Sequence, residues 1–254
     1  RGGQPRSPRF PNPAEPTPRA GLELPRYPPG EMDIALAAAI PSRRTDRRNY
    51  SSWPVPHGDI AMMGARAARA GVMLRRFDEL TTLRRRVVDA EWRHGHDPAY
   101  LAELATWSGR YGSTAGVPAR NAPPPDPGAV IPARSFAGAV LEQPADVEPS
   151  DDNAAVVALG TVAADRVSQL RAGEATSSVL LTATAAGLAS CPITGPLEIP
   201  DIRAAVGEDV FGSGGYAQML LRIGWAPVNA DPLPSTPRRP LGEVVSRLDG
   251  TPFD

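Results

Sequence analysis

Two stretches concentrate guanidinium groups: "SRRTDRRNY" at 42–50 and "STPRRP" at 235–240. The first sets Arg43, Arg44, Arg47 and Arg48 around Thr45; the second sets Arg238 and Arg239 between prolines. A guanidinium stays charged and offers paired N–H donors to an oxyanion. A phosphate needs several such donors, and Thr45 would add a hydroxyl. Flanking prolines lower the entropy lost when a side chain is fixed on a ligand. Taken alone, each stretch also reads as a solvated basic surface, the commoner fate of such a run.

Other candidates are weaker. "GLASCPITGP" (187–196) is a tight backbone path with Gly187, Gly195 and two prolines, where a main-chain N–H could face a planar ligand. It reads equally as a plain helix-ending turn. Cys191 lies within it; no base partner stands out, so a buried free thiol is expected rather than a nucleophile. His94 and His96 have only Asp97 near them at ligand spacing, so a solvated helix end is expected there and no metal. "FGSGGY" (211–216) lacks the Lys-Ser/Thr of a phosphate loop and the spacing of a dinucleotide fingerprint, and reads as a loop.

The whole chain sets bounds on these sites. Its 254 residues suit one domain or two small ones. All 27 basic residues are arginine, so every cationic role falls to a guanidinium. A formal net charge of −1 argues against general nucleic-acid binding. The single cysteine rules out an intrachain disulfide and fits a reducing cytoplasm. No apolar run is long enough to span a membrane. The chain starts at Arg1 with no signal-peptide layout, and a processed chain or a fragment is expected.

The elements that must position these residues follow from pattern. Residues 1–30 hold nine prolines and read as an extended, disordered arm. "MDIALAAAI" is helical and stopped by Pro41. Helices are expected at 56–71, at 78–95 with Asp78 as N-cap, and at 98 onward with Pro98 in the first turn. Short strands are expected at 72–77, 153–161 and 216–225. Residues 112–150 form a long irregular stretch, functional or disordered. "ADRVSQLRAGEATSSVLLTATAAGLAS" is one long helix, or two joined near Gly173; its small residues place it centrally. "IPDIRAAVG" is a short helix, and "LGEVVSRL" a final helical turn or two. The fold class is α+β, layered around a sheet.

In this order the pieces resemble the nitroreductase family of flavoproteins, and within it the Acg-type, actinobacterial dormancy-associated branch. The resembling segments are "RRTDRRNYSSWPVP", "LRAGEATSSVLLTATAAGLASCPITGPLEIPDIR", "YAQMLLRIGWAPVNADPLPSTPRRPL" and "GEVVSRLDG", from about residue 33 to the end. The resemblance implies a nitroreductase-like layered sheet with a central small-residue helix over 31–254. It implies FMN, with Arg43, Arg44, Thr45, Arg238 and Arg239 at the phosphate and Arg47 toward the flavin ring. Thr194 and Gly195 match the turn near flavin N5; the family often has an acidic residue where Thr194 stands. Residues 112–150 match a segment that can cover the flavin as a lid. The family's Pro-Ser…Asn…Gln segment against the ring is missing, so the chain looks like the C-terminal half of a fused pair. A homodimer partner or a separate N-terminal half would then complete the pocket.

Two functions follow from the resemblance. One is an NAD(P)H-dependent FMN oxidoreductase acting on nitro compounds or quinones, with a small aromatic substrate. The flavin carries its chemistry, and no side chain is assigned a catalytic role. The other is an FMN-sequestering protein whose lid blocks turnover.

Overall fold

The computed structural model describes residues 8–10, 20–23, 28–109, 115–144, 147–247 and 249–253. Every residue of strand β2 (Ala155–Thr161) is buried, so this strand must be covered on both faces. Ala155, Val157 and Leu159 join Leu221 and Ile223 of β4 (Tyr216–Gly224) in one core, under α2 (His57–Arg69) and α5 (Arg166–Ala185). Val156 and Ala158 join Leu220 in the other, under α3 (Leu80–Gly95) and α6 (Pro200–Phe211). This period-2 alternation sends successive side chains to opposite layers. Strands β1 (Met73–Arg76) and β3 (Ala189–Ile193) close the edges, in the order β1-β2-β4-β3 with every pair antiparallel. The chain is therefore α+β, with helical layers on both faces of a small antiparallel sheet. Helix α1 (Glu31–Ala39) lies against α5, and α4 (Pro98–Trp107) against α3.

Helix α5 is one continuous helix of 20 residues, unbroken at Gly173. Ala175, Val179 and Ala183 are fully buried, and their small size lets α2 and the sheet close on it. The hydroxyls of Thr176, Thr182 and Thr184 donate to the carbonyls of Ala172, Ser178 and Leu180, at 2.7, 2.8 and 2.9 Å. Those bonds satisfy the buried hydroxyls within the helix itself. The Asp165 carboxylate caps the start by accepting from the Ser168 N–H.

Several local expectations change. Helix α3 starts at Leu80 and Asp78 does not cap it; Asp78 pairs instead with Arg76 at 3.3 Å. Residues 189–193 are a strand, not a turn, and Pro192 is tolerated because β3 is an edge. The final helical turn expected from residue 241 is present as one tight turn, Leu241–Glu243. The expected arm over 1–30 falls mostly outside the described residues. Within it, Arg9 pairs with Glu174 of α5 at 2.5 Å.

One buried ion pair ties the sheet to the loops above it. Arg222 of β4 is 6% exposed, pairs with Asp152, and stacks on the Tyr50 ring with 4.7 Å to the ring centroid. Tyr50 in turn fits against Gly224, where a Cβ would come within 2.5 Å of the ring. Asp152→Asn leaves the buried guanidinium without its counter-charge and should lower unfolding free energy by about 3–5 kcal/mol in a denaturant titration. Arg222→Met combined with Asp152→Leu should recover most of that loss. Gly224→Ala, which forces Tyr50 aside, should cost about 1–3 kcal/mol.

Candidate functional site

The arginine-rich loop is held from within. The Asp46 N–H donates to Ser190 O of β3 at 2.9 Å. The Asp46 carboxylate takes Arg48 Nε and Nη2 at 3.0 and 2.9 Å, and the Arg48 N–H at 3.1 Å. Arg48 Nη1 reaches on to Asp231 O at 2.9 Å, and the Tyr50 hydroxyl donates to Asp46 O at 2.8 Å. Asp46, Arg48 and Tyr50 are all buried. Arg48 is thus a structural residue, and it links the loop to the segment after β4 that carries Arg238.

With Arg48 committed, the other guanidiniums of the loop make no ion pair among the described residues. Arg43 is half-buried; burial first, then the nearby guanidinium of Arg238, then that of Arg44, pull its pKa below the ordinary arginine value. The two ends of the chain thus bring like charges together. Arg44 Nη1 donates to Pro41 O and Arg43 O at 2.7 and 2.9 Å, while its Nε is buried without a partner. Thr45 is half-buried. Arg238 is exposed and, among the described residues, bonds only to its neighbours, Thr236 Oγ1 at 2.5 Å and the carbonyls of Thr236 and Pro237. Arg239 stands exposed without a hydrogen-bond or ion-pair partner among the described residues.

Arg47 lies deeper. It is mostly buried, donates from Nη1 to Asn121 O at 3.1 Å, and lies over the Phe136 ring at 4.7 Å from the centroid. Burial is the main cause that lowers its pKa, and Arg134 adds to it. Arg134 Nη2 donates to Thr194 Oγ1 at 3.0 Å and pairs with Glu198. Gly195 is buried, 3.5 Å from Glu91 Oε1 measured at the place of a Cβ. The structure therefore sets Arg43, Arg44 and Arg238 at one end of the site. Arg47 lies close enough to Arg134 for their like charges to act on each other, and Arg134 is bonded to Thr194.

The long segment after α4 spans this whole row. Asn121 Nδ2 donates to Pro234 O at 2.9 Å, near the Arg238 end. Gln143 Oε1 accepts from the Asn49 N–H at 2.9 Å. Phe136 meets Arg47, and Arg134 meets Thr194. Sequence reading missed Arg134, Phe136, Asn121 and Gln143, because an irregular segment has no periodicity to show which side chains turn inward. His94 also departs from expectation. It is buried, stacked on Tyr100 with centroids 4.0 Å apart, because α4 folds back over the end of α3. Among the described residues no group of acidic, His and Cys side chains could hold a metal. No helix among them is long and apolar enough to cross a membrane.

No family model matches the chain. It is 62% identical over 237 residues to the Mycobacterium tuberculosis protein named "Putative NAD(P)H nitroreductase Rv3131", covering 93% of this chain and 69% of that one. To "Putative NAD(P)H nitroreductase acg" of the same organism it is 33% identical over 242 residues, covering 93% and 72%. The match thus spans more than half of either relative. A nitroreductase of Bacteroides fragilis, solved with bound FMN, superposes with a TM-score of 0.51 at 16% identity, covering 83% of this chain and 97% of that one. That likeness carries the fold.

Glu91, beside Gly195, is the strained carboxyl of the site. Burial raises its pKa above the ordinary 4.5, with Glu198 adding to it; the Ser135 N–H and Arg134 oppose the shift. A carboxyl raised on folding favours the fold when protonated. Its contribution is complete below pH 4.5 and is lost as pH rises through the folded value. Glu91→Gln fixes the neutral form and keeps an acceptor for Ser135. It should raise the thermal midpoint at about pH 7, and the gain should vanish at about pH 4. An unchanged midpoint at neutral pH would contradict the assignment.

Proposed function

This chain belongs to the nitroreductase family, and from that premise we propose that it binds FMN and acts as an NAD(P)H-dependent oxidoreductase on nitro compounds or quinones. The observation that supports this is the gathering of Arg43, Arg44 and Arg238 with no carboxylate partner among the described residues. Like charges brought together without a counter-ion repel, and a dianionic phosphate removes that repulsion. The partnerless, buried Nε of Arg44 fits the same ligand. Arg43, Arg44, Thr45, Arg238 and Arg239 would hold the phosphate. Arg47, buried without a carboxylate, would favour negative charge on a reduced ring, and Thr194 and Gly195 would lie at the ring's reactive side. When bound, FMN supplies the hydride chemistry; the protein supplies binding, orientation and electrostatics. The FMN bound in the Bacteroides fragilis nitroreductase supports the cofactor, and the names of the mycobacterial relatives support the nicotinamide donor.

A second reading has its own observation. The 115–144 segment is fastened at Pro234, Asn49, Arg47 and Thr194, along the length of the site. As a lid over 112–150 it would exclude water and donor alike and leave an FMN-holding protein. Residues 31–254 would be the nitroreductase-like domain, working in the cytoplasm. A second copy or an N-terminal half would complete its ring pocket.

Purified protein should be yellow with FMN or should take it up. Anaerobic NAD(P)H should then bleach it; a flavin that stays oxidised favours the holding protein. Arg43→Ala and Arg238→Ala should each weaken FMN binding by about 1.5–3 kcal/mol, roughly tenfold to a hundredfold. Riboflavin, without the phosphate, should bind both variants as it binds the parent. Unchanged FMN affinity in both would refute the phosphate site.

A further inference from the structure

A cavity of about 530 Å³ opens between the end of α3, helix α4 and the start of α6. That volume suits one small molecule. Leu104, Trp107, Ile199 and Pro200 give it apolar walls, and Arg134 forms the side nearest Thr194.

Its charges are unbalanced. Arg93 is held by two carboxylates: Asp89 at 3.1 and 3.0 Å, and Asp201 at 2.9 and 2.7 Å. Arg134 is paired with Glu198. Both guanidiniums are therefore neutralised, Arg93 more than once over. Two further carboxylates line the cavity. Asp97 caps α4 through one oxygen, accepting from Ala99 and Tyr100, and Glu103 has no cationic partner among the described residues. His94 adds no compensating charge, since burial is the main cause holding its pKa below the ordinary value. Tyr100 stays a neutral phenol, its pKa pushed up to about 12. An excess of carboxylates around an apolar, tryptophan-lined recess attracts cations and repels anions. An indole face adds a favourable quadrupole term for a cation.

We propose that this cavity binds an aromatic cation, a protonated arylmethylamine or an N-alkylated ring. Because Arg134 joins it to Thr194, the inference deepens the flavin reading: the occupant would be the flavin's electron-transfer partner. The cavity's own chemistry stands apart from that reading, and the test separates the two.

The probes are 4-nitrobenzylamine, 4-nitrobenzyl alcohol and 4-nitrobenzoate, matched in shape and differing in charge. Binding is read from quenching of tryptophan fluorescence on the full chain at about pH 7, with and without FMN. The amine is expected to bind about tenfold tighter than the benzoate, with the alcohol between. That gap should narrow in Glu103→Gln and at high salt. Quenching by the amine should fall in Trp107→Phe. Equal affinities, an inverted order, or quenching untouched by Trp107→Phe overturns the assignment. FMN uptake is scored separately: the charge order without FMN uptake supports the cavity and removes the flavin reading, whereas FMN uptake without the charge order overturns the cavity alone.

Discussion

Asp46 is the only carboxylate in the 42–50 loop, and Arg48 takes both its oxygens. The rest of the site depends on that one pairing. A buried arginine with its own acid is a fixed strut, and the neighbouring arginines are left without an internal counter-charge. Arg43 then lies near both Arg44 and Arg238, the latter brought from nearly two hundred positions away, and both repel it. Such repulsion is unfavourable in the bare protein and is removed by binding an anion. The structure thus divides one basic run into a paired support and a part left without an ion pair among the described residues, a distinction that charge counting does not make.

The sheet makes that division possible. The Asp46 N–H bonds to β3, and Tyr50 lies between Gly224 and the buried Arg222–Asp152 pair. A buried ion pair is a weak source of net stability, since desolvation offsets attraction. Here its geometric consequence is larger: it fixes the floor from which the loop rises. The slim face of α5 serves the same end, letting α2 and the sheet close on it.

Across this floor run two electrostatic environments with opposite sign. At the Arg238 end guanidiniums outnumber acids; beyond Thr194 carboxylates outnumber guanidiniums. Arg134 stands at the boundary, bonded to Thr194 on one side and Glu198 on the other. A ligand site of mixed polarity can orient an occupant end to end, because each end of the occupant is repelled from the wrong side.

Much of this was legible in sequence. The helices and strands with clear apolar periodicity formed close to their expected bounds, and the small residues of α5 signalled a central helix, because burial of a slim face is a local property of side-chain size. The two arginine clusters were visible as candidates. Their roles were not: nothing in "SRRTDRRNY" tells Arg48 from Arg47, because which guanidinium meets Asp46 depends on the loop's path over β3. The strand at 189–193 was hidden by Pro192, which only an edge position permits. Arg134, Phe136 and Glu91 were invisible as site residues, since their neighbours come from distant parts of the chain. Periodicity reports which face of an element is buried; only the packed structure decides which charges meet.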